Sequence, residues 1–389
     1  MNEEGTIDPK KKINVFILVD YFEPGYKFGG PVKSLLNTFE LLKDYVKFYV
    51  ITRNRDFNDP TFYDVPTGEW IERSLYSIMY LKDSDIKVVR ILELDAEIHP
   101  ECIYLASFFS WKISIQMVWR LRRLHEKIVI GVRGELTPGA LKIKPFKKRI
   151  FLAFSRWLNI YKNLRFHASS TIEAKDIKDH LNYKQILIAP DPVTFKAGLR
   201  KNGHLKISGQ LRLCFISRIV AIKNLLFCIE TIASVRKNES IFLDIYGIIE
   251  DSSYFQTCIE AIENWGLESQ IRYLGPLEPS KVQYVFAKYD FFFFPSKGEN
   301  FGHVIYESLS AGTPVILADT TFWSTISNKP PWGYIFSLEN RQAVISLLMF
   351  CRDMDNEHYH ALSSEAIRTA QKTASSQELI TANLNLFIR

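Results

Sequence analysis

Glu299 and Glu307 stand with seven residues between them in the stretch Tyr289 to Ala318, and Asn300-Phe301-Gly302 follows the first directly. An apolar run, Phe291 to Phe294, ends at Pro295-Ser296, and a short glycine-containing loop comes next. A helical segment then stops at Gly312, and Pro314-Val315-Ile316-Leu317 reads as the following strand. One acid therefore falls in a loop at a helix N-terminus, and the other about two turns down that helix. Successive backbone N–H groups at such an end, with the helix dipole, favour an anion. A carboxylate at Glu299 is wrong for phosphate but right for sugar hydroxyls, and Glu307 is placed to accept from a ribose diol. Taken singly, either glutamate reads better as a helix-terminal charge or a solvated face. Together, in a strand-loop-helix-strand setting, they suit a ligand with both phosphates and hydroxyls, such as a nucleotide-sugar.

Other loops in this half carry matching chemistry. After the strand-like LRLCFIS come Arg218 and Lys223-Asn224. Two cations five residues apart at one strand end can grip a diphosphate, Arg as a planar fork and Lys as a point charge. Two solvated surface charges are the equal alternative for this motif alone. Gly247, after IFLDIYG, lets backbone approach a ligand closely or simply ends a strand. The loop Gly275-Pro276-Leu277 borders a nucleotide base in the same weak sense.

The elements that must position these residues alternate along the whole chain. Ile13 to Val19 is an apolar run, followed by a loop holding Gly29 and Gly30, a helical pattern from Val32 to Tyr45, and the strand-like VKFYVIT. Ile103-Tyr104-Leu105 and Ile128-Val129-Ile130 read as strands with a helix from Ile113 to His125 between them, and Ile186-Leu187-Ile188 closes the first half. A second series, LRLCFIS, IFLDIYG, IRYLG, YDFFFFPS and TPVILA, starts at Leu211. Such alternation predicts parallel sheets covered by helices. The polar segment Lys196 to Gln210 reads as a linker. The reading is thus an N-terminal domain over 1–195, a C-terminal domain over 196–372, and a last helix over 373–389 returning to the first. Both domains are doubly wound and Rossmann-like, and ligands in such sheets bind beyond the carboxyl ends of the strands, here in a cleft where the domains face each other.

Bulk properties narrow the class. At 389 residues the chain exceeds one ordinary core, and 47% apolar with 24% charged residues is neither disordered nor fibrous. Five scattered cysteines without a CxxC pair argue for a reducing compartment and against structural zinc. No apolar run approaches a membrane span, and MNEEGTIDPKKK lacks the apolar core of a signal peptide, so a cytoplasmic protein is expected. The net charge of +6 is mild.

With these residues assembled, 211–318 resembles the donor half of the retaining glycosyltransferases of family 4, the "group 1" transferases with the GT-B fold. Glu299 and Glu307 match that family's Glu-x7-Glu motif, and Arg218 with Lys223-Asn224 matches its diphosphate grip. In the first half, Asp20 to Pro31 is similar to its glycine-rich loop. Arg133-Gly134-Glu135-Leu136 through Lys147-Lys148, Ser169 to Glu173, and Ile188 to Asp191 are similar to runs of a bacterial polysaccharide subgroup. The resemblance implies transfer of a sugar from a nucleotide-sugar to a saccharide or lipid-linked saccharide acceptor, with retention, in surface-polysaccharide assembly. It implies that Arg218 and Lys223 stabilise the departing diphosphate, that Glu299 holds the sugar, and that Glu307 holds the ribose. Asn300, Phe301, Gly302 and Gly247 border the donor, and Gly29 and Gly30 bring N–H groups toward its phosphates; no metal or other cofactor is implied. Three departures stand out: Arg133 where many members have histidine, which puts a cation near sugar or phosphate in the catalytic site in place of a neutral hydrogen-bonding ring, Ser217 where a glycine is usual, and Ile248-Ile249 in place of a second glycine.

From Lys142 to Arg165 there are eight Lys or Arg and no acids, interleaved with Phe146, Ile150, Phe151, Phe154, Trp157, Leu158 and Tyr161. A greasy face with cationic flanks can lie on an anionic membrane, here the inner face of the cytoplasmic membrane. An ordinary packed helix with basic outer residues is the equal alternative. Nucleic-acid binding lacks any accompanying recognition motif. The triplets Asp83-Ser84-Asp85 and Asp353-Met354-Asp355 read as surface turns rather than metal sites. His167 falls in or beside a strand, and His303 reads as well as a capping neighbour as a ligand. A nucleotide-sugar epimerase or hydrolase of the same fold would need a catalytic acid or base that is not evident, and a silent scaffold would not need the four charged residues intact.

Overall fold

Near-continuous apolar runs make the strands of both halves, as a parallel sheet covered on two faces requires. The computed structural model describes residues 12–25, 29–122, 127–141, 145–195, 204–235, 240–299, 301–327 and 329–388. The chain divides into two units, residues 1–193 with 376–389, and residues 194–375. Among the described residues no helix is long and apolar enough to cross a membrane.

The first unit contains β1 (Ile13–Leu18), β2 (Val46–Arg53), β3 (Ile71–Glu72), β4 (Tyr76–Leu81), β5 (Cys102–Leu105), β6 (Ile128–Gly131), β7 (Arg165–Ala168) and β8 (Ile186–Ile188). Their order is β3-β4-β2-β1-β5-β6-β7-β8. Every pairing is parallel except the short β3 on β4. Successive side chains of β1 go to opposite faces. Val15 and Ile17 join Phe39 of the helix Gly30–Leu42 and Phe387 of the helix Gln377–Ile388. Phe16 and Leu18 join Ile103, Ile130 and Phe166 on the other face. The last helix completes this unit: the Phe387 ring meets Phe48 at 5.7 Å and Tyr104 at 6.0 Å, and Asn383 Nδ2 donates to the Pro190 carbonyl at 3.0 Å. Burying a side chain the size of Phe387 stabilises by roughly 1.5–3 kcal/mol.

The second unit contains β9 (Leu211–Ile216), β10 (Ile241–Tyr246), β11 (Ile271–Tyr273), β12 (Phe291–Phe294), β13 (Val315–Ala318) and β14 (Gly333–Phe336). All are parallel, in the order β11-β10-β9-β12-β13-β14. The chain winds outward from β9 to β11, then returns to the other side of β9. The order therefore reverses between β9 and β12, and the carboxyl ends of those two strands flank a crevice suited to a ligand.

Several sequence expectations need correction. β3, β4 and β14 were not foreseen, and β3 is only two residues long; the strand expected in or beside His167 is β7, whose apolar signal Arg165 and His167 interrupt. In place of a helix from Ile113 to His125 there is a π-helical turn, Trp111–Ile115, and an α-helix, Gln116–Leu121; His125 lies outside the described residues. The linker reading fails for 204–210, which is packed onto the second unit, while 196–203 lies outside the described residues. His204 Nε2 contacts Asp290 Oδ1 at 2.6 Å, and the buried Lys206 ammonium donates to the carbonyls of Ile207 at 2.9 Å and Arg352 at 3.0 Å. Carbonyls at a helix end offered the polar segment a place to pack that its composition did not reveal. All five cysteines are free and buried.

Candidate functional site

At the carboxyl ends of β9 and β12 the loops bring Lys223 and Glu299 together. Beyond β9, Ser217 and Arg218 lead into a 3₁₀ turn, Ala221–Lys223, which ends at Asn224 with φ 61°. Asparagine tolerates that left-handed conformation better than most residues, and it turns the chain into the helix Leu225–Ser234. Beyond β12, Ser296 Oγ donates to the Gly298 carbonyl at 2.9 Å and Lys297 N–H donates to Ile222 O at 2.8 Å, so the two loops are tied together. This fixes Lys223 against Glu299, Nζ to Oε2 at 2.5 Å, with side-chain exposures of 10% and 19%. The Lys223 ammonium also lies 5.5 Å from the centroid of the Phe294 ring.

Glu299 is followed by a tightly built turn. Asn300 lies outside the described residues. Phe301 is buried: its ring packs on Trp323 at 5.7 Å, and its carbonyl accepts from Trp323 Nε1 at 2.7 Å. Its ring is therefore an anchor of the loop, leaving the backbone N–H as the part free of that anchoring. Gly302 has φ 75°, and a Cβ there would meet Glu299 Cγ and Ile305 Cδ1 at 2.9 Å. The helix begins only at His303 and runs to Ser310. Glu307 thus lies little more than one turn in, not two, because the Gly302 turn takes residues that the sequence pattern assigned to the helix.

Arg218 is placed at the same strand end, but its guanidinium is ion-paired with Glu250, and both side chains are well exposed. Glu250 was missed from the sequence. The bridge between Ile219 and Ile249 brings it there, and the Ile248-Ile249 departure from a second glycine marked that loop. Gly247 has a packing reason for its identity: with φ 149°, a Cβ would stand 1.7 Å from the Ser217 carbonyl oxygen.

In the first unit, Gly29 caps the helix Gly30–Leu42 with φ 72°, and a Cβ on Gly29 or Gly30 would meet nothing within 4 Å. Arg133, after β6, has φ 53°. The structure gives it an occupation different from a cation offered to sugar or phosphate. Its Nη1 contacts Asp191 Oδ1 at 2.5 Å and Ser34 Oγ at 2.7 Å, and its side chain is 8% exposed. Burial works against the charge, but Tyr104, Asp191 and Glu173 outweigh it and hold the guanidinium above its ordinary range. Two carboxylates staple the neighbouring loops. Glu135 accepts from Ser107 Oγ and Phe109 N–H, both at 2.7 Å, and Glu173 accepts from Gly134 N–H at 2.6 Å and Ser169 N–H at 2.7 Å. Burial raises both carboxyls.

His167 lies in β7, buried. Its Nε2 is 2.8 Å from the Ala189 carbonyl, which can only accept, so Nδ1 accepts from Tyr104 O–H at 2.8 Å. Burial first, and then Arg133, lower its pKa to about 4. The acidic triplets serve local structure: Asp83 pairs with Arg53 and Arg55, Asp353 with Arg352, and Asp355 caps the helix Asn356–Ala374. Among the described residues no group of three or more His, Cys, Asp or Glu is disposed to hold a metal.

Two Rossmann-like α/β units in one chain define the GT-B class of fold, and comparison with solved structures gives the same class. Anabaena Alr3699/HepE in complex with UDP and glucose superposes with a TM-score of 0.70 at 14% identity, over 96% of this chain and 98% of that one. Sucrose-phosphate synthase from Thermosynechococcus elongatus gives 0.72 at 14% identity, over 97% and 98%. More particularly, residues 200–368 match the family Glycosyl transferases group 1, so the second unit carries a glycosyltransferase domain of that type. Alpha-monoglucosyldiacylglycerol synthase of Streptococcus pneumoniae (strain ATCC BAA-255 / R6) is 28% identical over 153 residues, 39% of this chain and 34% of that protein. Phosphatidyl-myo-inositol mannosyltransferase of Mycobacterium leprae (strain TN) is 28% identical over 106 residues, 26% and 28% of the two chains. The matched stretches thus span about a third of these relatives.

Proposed function

We propose that this protein is a retaining glycosyltransferase that moves a sugar from a nucleotide-sugar to a saccharide acceptor, lipid-linked and presented at a membrane, in surface-polysaccharide synthesis. The observation that carries the reading is the Lys223–Glu299 pair at the point where the sheet order of a group 1 domain reverses. In the reaction the bond between the anomeric carbon and the phosphate oxygen breaks, and the electron pair leaves with the nucleoside diphosphate. The acceptor hydroxyl bonds to the anomeric carbon and its proton passes to the departing phosphate. Charge on that phosphate grows as the bond breaks, and fixed cations meet it without reorganising. Lys223 and Arg218 are assigned that task, in place of a metal ion. Glu299 exchanges its ammonium partner for sugar hydroxyls, and Glu307 takes the ribose. Arg133 is a positioning residue that ties the β6 loop to Ser34 and Asp191. The lipids in the names of both relatives support a membrane-presented acceptor, and the UDP bound to Alr3699/HepE makes UDP-sugars the first donors to try.

The test is a thermal-shift panel of UDP-, GDP- and ADP-sugars, followed by transfer assays with the stabilising donor in the presence and absence of EDTA. A donor should raise the melting temperature by mass action, and EDTA should leave the rate unchanged. A panel in which no nucleotide-sugar stabilises the protein refutes the donor assignment, and a rate abolished by EDTA refutes the metal-free one.

A further inference from the structure

The helix Pro145–Trp157 leaves most of its surface uncovered. Phe146 is 76% exposed, Ile150 54%, Phe154 50% and Trp157 78%. At about 100° per residue these four fall within an arc of roughly 80°, so they form one continuous apolar stripe. Leu152 and Ser155, on the far side, are buried. On that same helical wheel Lys147 flanks the stripe on one edge, and Arg149 and Arg156 flank it on the other. Beyond the second edge runs a cavity of about 390 Å³, lined by Pro145, Lys148, Arg149, Leu152 and Arg156 with His180. The cavity is shaped by fixed contacts: Lys148 Nζ donates to Ala140 O at 2.8 Å, and Arg156 Nε donates to His180 O at 2.6 Å. No acidic residue occurs between Pro145 and Arg165.

A stripe of large apolar side chains is costly to leave in water, so it needs an occupant. Charge decides which one. A second copy of this face would bring Lys147, Arg149 and Arg156 against their own kind, which repels. An anionic phospholipid surface offers both halves of the match: an acyl boundary for Phe146 and Trp157, and phosphates for the flanking cations. We propose that this helix is a membrane-docking element, with the aromatic stripe seated in the interface and the cationic cavity holding an anionic phospholipid head group. The inference deepens the membrane-presented acceptor reading and rests on it for its purpose, although the docking itself is measured without any sugar.

The experiment uses the full-length protein and sedimentation with two vesicle types, phosphatidylcholine alone and phosphatidylcholine with about one third phosphatidylglycerol, at low and high salt. The wild type should bind the anionic vesicles at least about tenfold more tightly than the neutral ones, and less so in high salt. Phe146→Ser with Trp157→Ser, and separately Lys147→Glu with Arg149→Glu, should each weaken that binding about tenfold or more. These side chains are exposed, so both variants should melt with the wild type and keep its stabilisation by donor. Equal binding to both vesicle types, no binding, or variants that bind like the wild type overturn the proposal. A vesicle-free dimer that both variants break assigns the face to a second copy and overturns it too. Loss of donor stabilisation in the wild type would instead strike the sugar-transfer reading and leave vesicle binding to stand or fall alone.

Discussion

Replacing Lys223 by methionine keeps the side-chain stem and removes the charge, leaving Glu299 without its ammonium partner. Breaking a fully buried ion pair in this way costs roughly 3–5 kcal/mol, because the orphaned charge stays desolvated. Here the pair keeps exposures of 10% and 19%, so water relieves part of that, and about 2–3 kcal/mol is expected. For a unit of this size that lowers the melting temperature by roughly 5–10 °C. Glu299→Gln should cost somewhat less, since the lysine stem can move its ammonium toward water. The double variant, Lys223→Met with Glu299→Gln, carries no orphaned charge and should recover most of the loss, a coupling of about 1–3 kcal/mol. Activity should behave differently. Losing a fixed cation at a departing phosphate costs about 10²–10³ in rate, and the double variant restores neither that cation nor the sugar-binding carboxylate. Melting curves and transfer rates on the four proteins of the cycle provide the check. If rate returns along with stability in the double variant, the pair is only a structural tie and its assignment to the donor is refuted.

Two further outcomes follow from the backbone and the core. Gly247→Ala places a Cβ 1.7 Å from the Ser217 carbonyl at φ 149°, and should destabilise the second unit by roughly 2–4 kcal/mol, read by denaturant melts; a variant melting with the wild type would remove that reason for the glycine. His167, with its pKa lowered to about 4, takes up a proton more readily unfolded than folded. Stability is therefore full above the unfolded value near 6.5 and declines as pH falls from there toward 4, by about 2 kcal/mol between pH 7 and pH 5. Gln at 167 can donate to Ala189 and accept from Tyr104 without titrating, so denaturant melts of His167→Gln at the two pH values should show that part of the decline missing.

Much of the second unit was legible because its signals are local. Four consecutive phenylalanines stopped by Pro295-Ser296 read as a short buried strand, and the strand-loop-helix grammar around Glu299 put the acid beyond its carboxyl end. What was hidden depended on partners far away in sequence. Nothing near Arg218 announces Glu250, and nothing near Arg133 announces Asp191, because the sheet register that joins them has no marker in composition. The true start of the helix at His303 was hidden for a different reason: Gly302 takes up a left-handed turn that leaves the apolar periodicity intact. Gly247 was noticed for the right property, close approach of backbone, and the partner in that approach is Ser217.

The five cysteines carry an experimental consequence. Cys102 is the one thiol of the first unit, and Cys214, Cys228, Cys258 and Cys351 belong to the second. Burial holds every one of these thiols above its ordinary pKa, so an alkylating reagent finds little thiolate while the chain is folded. Once a unit opens, its thiols become ordinary ones. The number of added masses on the intact protein then reports which unit opened, one for the first and four for the second. The native sequence thus carries its own two-channel clock of unfolding, with no label to engineer.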